Sequence, residues 1–168
     1  MRKAALCFLL AASLGCAKRT GGPNVGDPAP DVAAPAADGS TIRVRQFAGH
    51  PVVVYFYPKD GTPGCTAQAC SLRDNWAALQ AAGAVVLGVS TQDRDSHRKF
   101  AAEHKLPFPL LVDDGSLSKA FGVGKLGWLD QRVTFLVDSQ GKVAKVWEDI
   151  DVKNHGRDVL LAVRALSK

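Results

Sequence analysis

The 168-residue chain is poor in sulfur and in rings: one Met, four Cys, two Tyr and three Trp, with aromatics at 7%. Four cysteines are too few for a disulfide-dense scaffold, and none of them form a Cys-x-x-Cys pair. The four histidines, His50, His97, His104 and His155, show no metal-motif spacing to one another or to a cysteine pair. No apolar run approaches the ~20 residues that a membrane-spanning helix needs. Charge is modest as well. The net +5 falls to +3 when Arg2 and Lys3 are set aside with the leader described below, and the remainder is scattered, which excludes a nucleic-acid-binding surface. At 46% hydrophobic residues, the chain has material for one core and one domain.

The N-terminus reads MRKAALCFLLAASLGC: two basic residues, an apolar run from Ala4 to Leu14, then Gly15-Cys16. This is the layout of an export signal. Gly15-Cys16 resembles a bacterial lipoprotein processing box, with Ser13 where that box usually carries Leu. Residues 1–15 are therefore expected to be a signal peptide. Cys16 is the expected lipidated first residue, with plain cleavage or a retained anchor as the alternatives, residues 16–24 a Gly- and Pro-containing tether, and 25–168 the folded domain. An exported location, periplasmic or membrane-anchored, follows. With Cys7 lost and Cys16 modified, Cys65 and Cys70 are the cysteines left in the domain.

The pattern along that domain alternates strands and helices. Pro51–Tyr57 (PVVVYFY) reads as a strand buried on both faces, and a loop leads from it into an amphipathic helix over Cys65–Ala82, closed by Gly83. Ala84–Ser90 reads as a second buried strand, Ser96–His104 as a helix, Phe108–Asp113 as a short strand and Ser116–Gly122 as a brief helix. Arg132–Asp138 and Val143–Asp149 form a hairpin around Gln140-Gly141, and Asn154–Leu166 is a closing helix. The predicted fold is an α/β sandwich around a mixed sheet, with the cysteine-bearing loop at the carboxyl end of a central strand. Gly122–Gly127 spells GxGxxG but follows a helix, so it reads as a loop with no phosphate-binding role.

Cys65 at a helix start faces unpaired backbone N–H groups and the positive end of the helix dipole, both of which favour a thiolate. The dipole alone contributes ~0.3–1 kcal/mol, short of the ~1.4 kcal/mol that one pKa unit represents, so a cation is needed as well. Lys59 is close in sequence. Arg132, opening a strand that could neighbour Val52–Tyr57, is the stronger candidate. Cys70 lies five residues on, a rise of ~7.5 Å on a helix, beyond the Cα separation of roughly 4.4–6.8 Å that a disulfide tolerates. The pair reads as redox-catalytic, with a plain disulfide and a metal clasp as the open alternatives.

The stretch YPKDGTPGCTAQACSLRD resembles the active-site segment of the bacterioferritin-comigratory-protein or PrxQ branch of the peroxiredoxins, thioredoxin-fold thiol peroxidases. The family's Pro-x-x-x-Thr-x-x-Cys signature falls on Pro58, Thr62 and Cys65. The likeness runs from about Val25 to the C-terminus, through GDPAPD, GVSTQDRDSHRKFAAEHKLPFPLLVD and RVTFLVD. Two departures are a short loop over Gly122–Gln131 and Asp130-Gln131 in place of Pro-Gly.

The resemblance implies a thioredoxin-like three-layer sandwich and reduction of hydrogen peroxide and organic hydroperoxides without cofactor or metal. Cys65 would be the peroxidatic residue and Cys70 the resolving one, with Thr62 orienting the peroxide, Arg132 stabilising charge and Pro58 shielding the pocket. The implied reductant is a thioredoxin-like dithiol protein, and a monomer is expected. Ser90, Asp93 and Trp128 are further candidates for the site border. The competing readings are a thioredoxin-type thiol-disulfide oxidoreductase and a copper-binding protein of the same fold.

Overall fold

In the computed structural model, residues 19–166 are described, so the expected signal peptide, Cys7 and Cys16 lie outside the described residues. The centre is a five-stranded sheet built from β3 (Val52–Phe56), β4 (Val85–Ser90), β5 (Leu110–Val112), β8 (Val133–Val137) and β9 (Val143–Trp147), in the order β5-β4-β3-β8-β9. The three strands β3, β4 and β5 run parallel, β8 lies antiparallel beside β3, and β9 lies antiparallel beside β8. All five residues of β3 are buried, which explains its unbroken β-branched and aromatic run.

Alternation along β3 supplies two cores. Val52, Val54 and Phe56 face one side, with Phe135 and with Leu117 and Phe121 around α4 (Ser116–Ala120). That side is closed by the N-terminal hairpin of β1 (Ala33–Pro35) and β2 (Thr41–Arg43). Val53, Tyr55 and Tyr57 face the other side. There they meet α1 (Pro63–Asp74), α2 (Trp76–Ala81), α3 (Arg94–Glu103) and α5 (His155–Ala165) through Ala69, Leu72, Leu79, Phe100, Val159 and Val163. The result is the expected three-layer sandwich with a mixed central sheet.

Four local differences from the sequence reading have physical causes. The long helix begins at Pro63, because proline suits the first helical turn, where its missing N–H is no loss. It breaks at Asn75, whose side-chain amide donates to the Ser71 carbonyl at 2.9 Å in competition with the backbone ladder. The helix predicted from Ser96 starts two residues earlier, since the Asp93 carboxylate caps it by accepting from Ser96 N–H at 2.8 Å. The glycine-rich loop holds a small antiparallel ladder, β6 (Lys125–Leu126) on β7 (Leu129–Asp130), closed by a Lys125–Asp130 ion pair at 2.6 Å. Burial pushes the Asp130 carboxyl up against the pull of that lysine.

His155, the first residue of α5, is buried with Nε2 2.9 Å from the Thr134 hydroxyl. Burial, then the Arg132 charge, lowers its pKa from 6.5 to about 4. Between those two values the unfolded chain binds a proton that the native protein refuses, so stability falls as pH drops through this window. The full loss is about 3 kcal/mol. Urea unfolding at pH 7 and pH 4.5 measures it, and His155→Gln is expected to flatten the difference; an equally steep variant would assign the effect elsewhere.

Candidate active site

The loop Pro58–Thr62 leaves the carboxyl end of β3 and feeds directly into α1, so Cys65 is the third helical residue and is 1% exposed. Thr62 holds the N-cap position in extended backbone but does not cap with its side chain. Its hydroxyl donates to the Lys59 carbonyl at 3.1 Å instead. The first-turn amides of Gly64 and Cys65 therefore take no bond from a capping side chain and stay available to a bound oxygen.

Arg132 arrives from the neighbouring strand. Phe56 pairs with Val133 across the antiparallel β3–β8 ladder, which sets Arg132 opposite the start of the loop. Its Nη2 donates to Cys65 Sγ at 3.3 Å, and its Nη1 makes a short hydrogen bond to Gln68 Oε1. A β-carbon at Gly64 would lie 3.3 Å from Nη2, so the small residue there leaves room for the guanidinium. The sulfur thus receives a fixed positive charge in a nearly dry setting.

Cys70 is half-buried on the same unbroken helix, and both cysteines are free thiols. Arg73, one turn further, interacts with Cys70 and also donates to the His104 carbonyl at 2.7 Å. In this wound state the two sulfurs are held apart by the helix, as the five-residue spacing requires.

Of the predicted residues, the structure brings Cys65 and Arg132 into contact and places Thr62 and half-buried Pro58 in the loop just before α1. Lys59 is exposed and is not the cation on the sulfur. Ser90 is buried beside Tyr57, Asp93 is the exposed cap of α3, and Trp128 is 65% exposed in the β6–β7 turn. The sequence reading missed Gln68, which is fully buried and orients Arg132; its place three residues after Cys65, one helical turn on, was the available signal. It also missed Asp60, whose carboxylate ties the loop to α3. Concavity alone would misdirect here, because a cavity of about 370 Å³ lined by Val44, Phe47, Val52 and Val137 lies at the opposite end of the sheet.

Comparisons with known proteins agree with this geometry. Residues 25–146 match the model of the AhpC/TSA family. The chain is 39% identical over 152 residues to peroxiredoxin Bcp of Bacillus subtilis (strain 168), covering 86% of this chain and 97% of that protein. It is 42% identical over 144 residues to peroxiredoxin Bcp of Escherichia coli (strain K12), covering 81% and 92%. A solved relative is the bacterioferritin comigratory protein of Xanthomonas campestris, studied for its alkyl peroxide reduction activity. It superposes with a TM-score of 0.80 at 34% identity, covering 86% of this chain and all of that one. A thiol held against an arginine at a helix start, on this sheet and among these relatives, places the chain in the AhpC/TSA family, within the Bcp/PrxQ peroxiredoxins.

Proposed function

We propose that this thiol peroxidase reduces hydrogen peroxide and organic hydroperoxides at Cys65, with Cys70 completing the cycle as an intramolecular disulfide. The observation that carries this reading is the Arg132 guanidinium on a buried Cys65 sulfur, with Cys70 waiting on the same helix.

The Cys65 thiolate attacks the terminal peroxide oxygen. An S–O bond forms, the O–O bond breaks, and the leaving alkoxide or hydroxide takes a proton from solvent. Sulfur gives up two electrons and becomes a sulfenic acid. Arg132 offsets the charge on the attacking sulfur and spreading over the two oxygens, while the free amides of Gly64 and Cys65 donate to the peroxide. Because the Thr62 hydrogen is committed to Lys59, its oxygen is left as an acceptor for the peroxide hydrogen, which aims the molecule at sulfur. Pro58, half-buried next to Tyr57, limits water at the pocket mouth.

The first turns of α1 then unwind and the Cys70 thiolate attacks the sulfenic sulfur: an S–S bond forms, the S–O bond breaks, and the leaving hydroxide takes a proton from solvent to become water. The disulfide is reduced by thiolate exchange with a thioredoxin-type dithiol protein. Export, with lipid on Cys16 anchoring the domain to a membrane, belongs to the same reading; the intact mass of the natively isolated protein tests it.

Adding one equivalent of peroxide to the fully reduced domain tests the chemistry. Rapid mass analysis is expected to show loss of two hydrogens and a Cys65–Cys70 disulfide; a product still carrying two free thiols would overturn the proposal.

A further inference from the structure

Asp60 lies in the catalytic loop, two residues before Thr62, and is not exposed like a turn residue. Its side chain is 6% exposed and that of His97 is 0% exposed. The carboxylate accepts three hydrogen bonds. The Tyr57 hydroxyl reaches Oδ1 at 2.7 Å, while the Ser96 hydroxyl at 2.7 Å and His97 Nδ1 at 2.8 Å reach Oδ2. The other ring nitrogen, His97 Nε2, lies 3.1 Å from the Leu111 carbonyl oxygen in β5. A carbonyl only accepts, so Nε2 donates to Leu111, and a hydrogen is shared between Nδ1 and Asp60 Oδ2. Burial pushes the Asp60 carboxyl up, but bonds from His97, Ser96 and Tyr57 prevail and hold it below its ordinary value.

The pair is thus a carboxylate hydrogen-bonded to an imidazole in a nearly enclosed pocket. A buried polar pair of this kind is a poor source of net stability compared with apolar packing, so stability alone does not account for it. Its placement does. It ties the segment that delivers Cys65 to α3 and β5, two elements outside α1 whose first turns must unwind for resolution.

We propose that Asp60 and His97 are positioning residues for the peroxide step: the pair holds the loop Pro58–Thr62, and through it the first turn of α1, in the wound arrangement that sets Cys65 against Arg132. The same tether works against the unwinding that brings Cys65 to Cys70. This role rests on the reading of Cys65 and Cys70 given above. Breaking the pair therefore slows oxidation of Cys65 and leaves disulfide formation unchanged or faster. Packing alone predicts no such opposition.

Stopped-flow peroxide oxidation resolves the two steps. Asp60→Asn keeps the shape and removes the charge. In His97→Asn the amide takes the place of Nδ1 and keeps a donor for Asp60; in His97→Gln it takes the place of Nε2 and keeps only the Leu111 bond. Asp60→Asn and His97→Gln are expected to lower the second-order peroxide rate about tenfold, with His97→Asn nearer to wild type. The disulfide-forming rate stays the same or rises in all three. Equal slowing of both steps, an unchanged peroxide rate, or His97→Gln outperforming His97→Asn would overturn the proposal.

Should the His97 variants fail to fold, Tyr57→Phe removes one bond to Asp60 and keeps the ring. It is expected to slow the peroxide step several-fold, and a wild-type rate would count against the pair. A wild-type protein inert to peroxide would instead remove the Cys65 reading and the positioning role with it.

Discussion

Cys65→Ser is expected to abolish peroxide turnover, lowering the rate by roughly 10³-fold or more while leaving the fold intact. Serine is nearly isosteric, so the Arg132 side chain keeps a hydrogen-bond acceptor and the buried position gains no clash. The loss is chemical. A serine hydroxyl is not ionised near neutral pH, and its oxygen is a poor nucleophile toward a peroxide. It also cannot give up the two electrons that cleave the O–O bond. The variant should bind peroxide in the same pocket and do nothing to it. A peroxide-consumption assay with excess dithiol and a thermal melt make the comparison. More than a few per cent of wild-type activity in a variant with unchanged melting would move the chemistry away from Cys65.

The features that make this prediction sharp were legible in the sequence to differing degrees. A solid apolar run before the loop identified a central strand, and the antiparallel β3–β8 pairing puts Arg132 where a cation was expected. That inference worked because strand burial and strand adjacency leave a strong local pattern. The break at Asn75 was not legible, since Leu72, Trp76 and Leu79 keep helical spacing across it while one side-chain amide diverts the backbone. The β1–β2 hairpin escaped because each strand has only three residues, too few for a period of two to show. Asp60 and His97 escaped for another reason. An aspartate in a Lys-Asp-Gly turn and a histidine in a charged helix each have an ordinary local explanation, and only the tertiary fold brings them to 2.8 Å.

Cys70→Ser is expected to leave the first oxidation of Cys65 near the wild-type rate and to stop multiple turnover with a thioredoxin-type dithiol. The separation follows from where the helix is held. Ser71, next to Cys70, is pinned to the start of α5 and the turn before it: its hydroxyl donates to the Lys153 carbonyl at 2.9 Å and accepts from Gly156 N–H at 2.9 Å. Gly156 packs so closely that a β-carbon there would fall 2.0 Å from the Ser71 carbonyl oxygen. In the proposed resolution step, unwinding therefore runs from the N-terminal turns of α1, against the Arg132 contacts and the Asp60–His97 tether, and stops near Cys70, so Cys65 travels and Cys70 stays in place beside Arg73. Without the Cys70 sulfur, the sulfenic acid on Cys65 has no partner within the domain. It persists, accepts a trapping reagent, and is carried by excess peroxide to the irreversible sulfinic form. Intact mass after one and after many equivalents of peroxide distinguishes the outcomes. One added oxygen followed by a second supports the scheme, whereas sustained turnover in the variant would show that resolution does not need Cys70.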